Sequence, residues 1–137
     1  MRIFEDDFSD TLTNMVYLSL EYCKKSVDKI FIYCFNENNC ISSNVFFMKD
    51  GKKINRSKLS GILDSEQIKF IRDINNKVKD IKVLCLNNNQ SEPTEIKIIY
   101  ELTSKRMITD FNYEKTFTKY ENVTLQENFN TWFEMVK

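Results

Sequence analysis

The sequence predicts an α+β domain: an antiparallel sheet of two hairpins with helices packed on one face, in the order α-β-β-α-β-β-α. Two kinds of apolar spacing lead to this fold class. In residues 96–113 apolar and polar side chains alternate, which is typical of half-buried strands. Elsewhere apolar residues recur every three or four positions, as on one side of a helix. At 137 residues the chain is long enough for one core, so residues 1–137 are predicted to form a single domain.

The first helix and the first hairpin are predicted within residues 7–48. A helix is expected over residues 7–26, because its apolar residues recur at helical spacing: Phe8, Leu12, Met15, Val16 and Cys23. Its acidic start at Asp6 and Asp7 suits the positive end of the helix dipole. Residues 29–35 are apolar at successive positions, which predicts a strand covered on both faces. After an Asn-rich turn, residues 41–48 return as the second strand of the hairpin.

A break in the sheet and a second helix are predicted next. Residues 49–52 form a Gly-containing turn, and residues 54–63 are a polar linker with a few apolar anchors. The second helix begins near Asp64, where the Asp-x-x-Gln spacing resembles a capping box. Its apolar stripe, with a spacing of about 3.5 residues, consists of Ile71, Ile74, Val78, Ile81 and Cys85. Residues 82–86 are also compatible with a short strand, but the periodicity favours a helix to about residue 86.

The second hairpin occupies residues 92–113 and is followed by a C-terminal helix. The side of the hairpin expected to hold the helices carries Ile96, Ile98, Tyr100, Phe111 and Tyr113. Its other side is polar and contains Glu95, Lys97, Glu101 and Asp110. The last helix is predicted from Thr124, where Thr-x-x-Glu forms a capping box. Its apolar stripe consists of Leu125, Phe129, Trp132, Phe133 and Val136.

The composition excludes most familiar catalytic chemistry. The chain has no histidine, which removes His-based acid–base catalysis, Ser-His and Cys-His nucleophiles and most zinc sites. It has two glycines, which is too few for the phosphate-binding loops of dinucleotide-binding or P-loop folds. We therefore expect no metal, no cofactor and no enzymatic activity. A carboxylate pair such as Asp110 and Glu101 is the one catalytic alternative, and a solvated sheet face is favoured over it.

The four cysteines are Cys23, Cys34, Cys40 and Cys85, and their spacing matches no zinc or redox motif. All but Cys40 lie in apolar periodic segments, where a free cysteine behaves as a small buried side chain. A Cys34–Cys40 disulfide across the first hairpin is the minor alternative. The N-terminus lacks the apolar region of a signal peptide, and no apolar run has membrane-spanning length. We therefore expect a soluble cytoplasmic protein.

The formal net charge is zero, so the chain as a whole does not attract nucleic acid or anionic membranes. Basic residues are nevertheless concentrated in residues 49–91, which hold 10 Lys and Arg against 5 Asp and Glu. Their densest part is the segment 49–58. An alternative function is therefore a small nucleic-acid-binding regulatory domain that uses this segment. Because no aromatic residue interleaves with these cations, we favour a solvated turn and linker.

Acidic and aromatic residues gather at two other places, the N-terminus and the end of the second hairpin. Carboxylates beside exposed tyrosines are typical of a surface that docks against a basic cleft. A nuclease presents such a cleft, because it contacts phosphates through Lys and Arg. The candidate toxin-binding residues are Glu5, Asp6, Asp7, Asp110, Tyr113, Glu114, Tyr120 and Glu121.

The second hairpin opens with Glu92-Pro93-Thr94, runs to Leu102, turns and closes with Asp110-Phe111-Asn112-Tyr113. Together with Val45-Phe46-Phe47 in the first hairpin and the order of the elements, these residues resemble the YezG-like immunity proteins. That family consists of bacterial antitoxins made alongside secreted or contact-delivered nuclease toxins.

The resemblance implies a small cytoplasmic bacterial protein that binds a cognate toxin nuclease, an RNase or a DNase, one-to-one and blocks its activity. The toxin would belong to contact-dependent growth inhibition or a related secretion system. Neither nucleic acid nor a membrane is expected as a direct partner. Such pairs diversify at their interface, so no binding residue carries over from the family. The candidate residues named above rest on the charge argument alone.

Overall fold

The computed structural model describes residues 3–37, 40–59, 61–113 and 125–136. Within these residues the helices are α1 (Phe4–Cys23), α2 (Asp64–Asn87) and α3 (Leu125–Met135). A short 3₁₀ turn spans Arg56–Lys58. The strands are β1 (Lys29–Glu37), β2 (Cys40–Lys49), β3 (Lys52–Asn55), β4 (Glu95–Glu101) and β5 (Arg106–Asn112).

β1 is the centre of the sheet, whose strand order is β3-β2-β1-β4-β5 with every neighbouring pair antiparallel. It pairs on one edge with β2, its neighbour in sequence, and on the other edge with the distant β4. Every residue of β1 after Lys29 is buried. This burial explains the uninterrupted apolar run from which a doubly covered strand was predicted.

The predicted α+β class and the order of helices and hairpins are confirmed, with one additional strand. β3 lies in a region that the sequence predicted as a turn and linker. Asp50 and Gly51 have φ values of 53° and 76°, and a two-residue hairpin turn of type I′ requires positive φ at both central positions. The turn therefore continues the sheet instead of ending it. In the resulting register Ile54 lies opposite Phe47.

α1 and α2 pack on one face of the sheet and form the larger core. The sheet contributes Ile30, Ile32, Cys34, Val45, Phe47, Ile96 and Ile98. The helices contribute Leu12, Met15, Val16, Cys23, Phe70, Ile74, Val78, Ile81 and Cys85. These lists include most of the predicted helical stripes and the predicted apolar side of β4. The aromatic ring of Tyr22 stacks on that of Phe70, with 4.2 Å between the centroids.

α3 packs on the opposite face, so the prediction that the helices cover one face is wrong for this helix. Its Phe129 and Trp132 are buried against Phe31, Tyr33 and Phe46 of the central strands. Phe31 and Phe46 stack across β1 and β2 with ring centroids 4.5 Å apart. Because β1 and β2 carry large apolar side chains on both faces, one helical layer cannot remove all of them from water. The fold is therefore helix–sheet–helix, with three layers.

Both predicted ends of α1 need correction. α1 begins at Phe4, three residues earlier than predicted, and ends at Cys23. α2 begins at Asp64 as predicted, but the predicted capping box is wrong, because the N-cap is Leu63, whose side chain makes no cap bond. α2 continues to Asn87, which confirms a helix and excludes the strand alternative for residues 82–86. Thr124 lies outside the described residues. None of the described helices is long and apolar enough to cross a membrane.

The cysteines are free, and Cys23, Cys34 and Cys85 are buried as predicted. The disulfide alternative is wrong, because the strand register places Cys34 opposite Ser43 and Cys40 opposite Glu37. Burial raises the pKa of the Cys34 thiol to about 12. The thiol therefore stays protonated at neutral pH, and it serves as a small apolar side chain in the core.

Candidate functional site

The first turn of α1 carries the acidic cluster Glu5, Asp6 and Asp7. Glu5 and Asp6 are exposed, whereas Asp7 is half-buried. The N-cap residue, Ile3, has no side-chain oxygen with which to bond the first backbone amides. Carboxylates in the first turn stabilise the helix by about 0.3–1 kcal/mol each, because they lie at the positive end of its dipole. The cluster therefore has a structural role in addition to any role in binding.

The solvent-facing side of α1 carries carboxylates near both ends of the helix. Asp6, Asp10, Tyr17 and Glu21 are exposed and recur at helical spacing on that side. The helix contains no lysine or arginine between its first and last residues. Tyr17 is 57% exposed, and it lines one cavity with Glu21 and with the two lysines that directly follow the helix. It was absent from the predicted set, although its position off the apolar stripe and in line with the acidic residues is visible in the sequence.

An aromatic contact joins the acidic turn to the end of β5. The ring of Phe8 packs edge-on against that of Phe111, with 5.4 Å between the centroids. Phe8 directly follows the acidic cluster, and Phe111 lies two residues before Tyr113, which is 53% exposed. This contact connects the helix that carries the acidic cluster to the strand that precedes Tyr113.

Asp110 lies on the other face of the sheet. It is opposite Lys97 in the register of β4 and β5, and the Lys97 Nζ lies 5.9 Å from the ring centroid of Trp132 on α3. Phe111, the next residue, packs on the α1 side. The predicted residues therefore do not form one continuous patch in the described part of the chain. Glu114, Tyr120 and Glu121 lie outside the described residues.

Asp110 lines a polar cavity of about 250 Å³ together with Glu95, Lys97, Phe111 and Asn112. The Glu95 side chain is only 8% exposed. Its carboxylate accepts hydrogen bonds from the Tyr33 hydroxyl and, at 2.9 Å, from Asn112 Nδ2. A buried carboxylate needs such charge-assisted bonds to offset its lost hydration. The alternation in the sequence predicts that Glu95 lies on the polar face of the hairpin. Its burial depends on the pairing of β4 with its neighbouring strands, which is not a local property of the sequence.

We expect Tyr33→Phe to lower the free energy of unfolding by about 1.5–3 kcal/mol, because it removes a hydrogen bond to a buried carboxylate. The control is Tyr22→Phe, which removes a bond from the hydroxyl to the Arg56 carbonyl oxygen at 2.9 Å. That acceptor is neutral, so the expected loss is about 0.5–1.5 kcal/mol. Urea unfolding followed by circular dichroism measures both. Equal losses in the two variants would contradict the structural role assigned to Glu95.

The catalytic alternative of paired Asp110 and Glu101 is not supported by the strand register. Asp110 is opposite Lys97, whereas Glu101 is opposite Arg106. Lys97 and Glu101 are four residues apart on β4, which corresponds to about 13 Å along an extended strand. The two carboxylates are therefore too far apart to act on one bond.

The basic segment 49–58 is divided by the fold. Lys53 Nζ donates a hydrogen bond to the Phe133 carbonyl oxygen at 2.6 Å, so this side chain is directed to α3. Arg56 Nη1 instead donates to Asn44 Oδ1 at 2.9 Å, and Arg56 lines a groove beside α2. These two cations therefore do not belong to one phosphate-binding patch.

Comparison of the chain with protein-family models finds no matching family, and comparison with curated proteins finds no matching relative.

Proposed function

We propose that this protein is an immunity protein that binds and neutralises a cognate toxin nuclease of a bacterial contact-dependent growth inhibition system or a related secretion system. The observation that carries the proposal is the outer side of α1, which carries exposed carboxylates near both ends and the exposed Tyr17, and has no Lys or Arg within the helix. The protein would act in the cytoplasm as the partner of one toxin molecule, without a cofactor and without catalysis of its own.

Electrostatic attraction supports this proposal. A nuclease domain holds its phosphate-bearing substrate with Lys and Arg, so its active-site cleft attracts carboxylates. The acidic side of α1 would be drawn to such a cleft over distances of about a Debye length, roughly 8–10 Å at physiological salt. Charge complementarity of this kind raises the association rate and selects the partner, while exposed tyrosines contribute contact area.

The alternative of a nucleic-acid-binding regulatory domain has weaker support. It depended on a continuous cationic surface over residues 49–58. Lys53 is instead bound to the carbonyl oxygen of Phe133 and lies 4.8 Å from its ring centroid. Arg56 is instead bound to Asn44 of β2 and lines the groove beside α2, so these two cations do not form one row along a phosphate backbone.

The proposal is tested with the toxin nuclease domain encoded beside this chain. We expect co-expression of the chain to protect cells from that domain, and the purified proteins to form a one-to-one complex without nuclease activity. The variant Glu5→Lys/Asp6→Lys should weaken the complex at least tenfold, mainly by slowing association, with a larger effect at low salt. Surface plasmon resonance at two salt concentrations measures both rates.

The matched control is Glu66→Lys/Asp80→Lys. It changes the net charge by the same amount, and it also places one lysine in the first turn of a helix, because Glu66 belongs to the first turn of α2. Circular dichroism checks that both variants remain folded. If the chain gives no protection, the immunity function is wrong. If the two variants weaken binding equally, α1 is not the toxin-binding surface.

A further inference from the structure

The outer edge of β2 is only half covered by β3. β3 pairs with residues 46–49 of β2 and with no earlier residue of that strand. Residues 40–45 therefore have no strand partner on this side among the described residues. An open strand edge presents backbone N–H and C=O groups in the arrangement that pairs with another extended chain.

The direction of the backbone amides shows which residues face this opening. The Val45 N–H donates to the side-chain oxygen of Asn44 at 2.9 Å. Successive amides of a strand point to opposite edges, so those of Ile41 and Ser43 point the same way as that of Val45. The amides of Ile41 and Ser43 thus point away from β1, on the side where no described strand is paired with them.

A groove of about 730 Å³ lies beside this opening, where Ile41 of β2 belongs to one wall and α2 forms the other. The residues contributed by α2 run from Asp64 to Lys79 at helical spacing, so they form a single stripe. At 1.5 Å per residue that stripe is about 22 Å long, which is the length of a seven-residue extended peptide. The two walls are joined at one point by the Ser43 hydroxyl, which donates to Asn75 Oδ1 at 2.6 Å.

The groove is rich in positive charge that the described residues do not neutralise. Arg56, Arg72 and Lys79 line it, and no described carboxylate lies within salt-bridge distance of any of them. Asp64 at one end is the one acidic residue among its described lining. The wall also contains Ile68, whose side chain is 68% exposed. Every second side chain of an added strand would face α2, so these cations are complementary to a peptide with acidic side chains at alternate positions.

We propose that an extended acidic segment of a partner protein binds in this groove as an additional strand on β2. Its backbone would pair with the amides of Ile41 and Ser43, and its carboxylates would lie toward Arg72 and Lys79. Single-stranded nucleic acid fits less well, because the described lining of the groove contains no aromatic side chain for base stacking. A second copy of the chain, paired through the same edge, would bring like charges together. The inference does not depend on the toxin-binding function.

The test uses a fluorescein-labelled heptapeptide that alternates Glu and Val, with binding measured by fluorescence anisotropy. We expect saturable binding that is about five- to tenfold weaker for the variant Arg72→Gln/Lys79→Gln, as two partly exposed ion pairs would give. The control Lys69→Gln/Lys77→Gln removes the same charge from α2 outside the groove and should bind as the unchanged protein does. In NMR spectra, the amide signals of Ile41 and Ser43 should shift on titration.

Backbone pairing is tested separately with two peptides that are N-methylated at alternate residues, in opposite phases. A strand presents only every second N–H to its neighbour, so one phase should abolish binding and the other should retain it. Equal binding of both phases would exclude strand addition. Failure of the peptide to bind, binding of an oligouridine probe in its place, or equal effects of the two double variants would overturn the proposal.

Discussion

We expect Trp132→Ala to lower the free energy of unfolding by about 3–5 kcal/mol, the usual cost of removing a large buried aromatic side chain. Trp132 is only 8% exposed, and its ring lies against Phe31, Tyr33 and Phe46. The loss would leave a cavity between α3 and the central strands. Because Trp132 is the one tryptophan of the chain, the measurement is urea unfolding followed by circular dichroism instead of fluorescence.

The matched control for this prediction is Met135→Ala on the same helix, where the side chain is 70% exposed. It should change stability by no more than about 0.5 kcal/mol, as surface substitutions usually do. A Trp132→Ala loss as small as that of Met135→Ala would show that α3 does not contribute to the core. It would also contradict the helix–sheet–helix arrangement.

The second large effect is expected for Ile74→Ala in α2. Ile74 is completely buried in the larger core, and truncation of such a side chain costs about 2–5 kcal/mol through lost burial and the cavity that remains. The companion variant is Ile68→Ala, which makes the same substitution six residues earlier in the same helix. Its side chain faces the groove and is largely exposed, so we expect no loss or a small gain from the better helix propensity of alanine.

Both variants replace isoleucine by alanine in α2, so the change in helix propensity is the same. The difference between their free energies of unfolding, measured with denaturant, therefore reports the effect of burial. A comparable loss in both would mean that α2 is rotated about its axis relative to the described packing. The same pair bears on the groove, since a folded Ile68→Ala protein with weakened peptide binding would place Ile68 in contact with the bound segment.

The elements of this fold could be predicted from the sequence because their signals are local. The stripe of α2 repeats with the period of a helix, and the alternation in β4 repeats with the period of a strand. The side of the sheet on which α3 packs is not a local property. Phe31 and Phe46 lie on the same face of the sheet, and this is known only once β1 and β2 are paired in register.

The features that sequence reasoning missed depend on pairing between distant segments. Glu95 is a polar residue in an alternating strand, and its burial follows from its contacts with Tyr33 and Asn112 on the neighbouring strands. Lys53 and Arg56 lie close together in the sequence, but Lys53 contacts α3 and Arg56 lines the groove beside α2. Their separation also depends on contacts between distant segments. The acidic cluster at Glu5, Asp6 and Asp7 could be predicted as a group, but not the contact of the adjacent Phe8 with Phe111.

The central position of β1 also determines how much chain entropy is lost when the sheet forms. β1 and β2 are separated by only two residues in the sequence, whereas Phe35 pairs with Glu95, about 60 residues later in the chain. By loop-closure entropy, joining β1 to β4 costs about 3 kcal/mol more than joining it to β2. Much of the intervening chain is α2, whose helical rise of 1.5 Å per residue shortens the distance to be closed. The helix that supplies five of the buried residues of the larger core therefore also helps to bring β4 to β1.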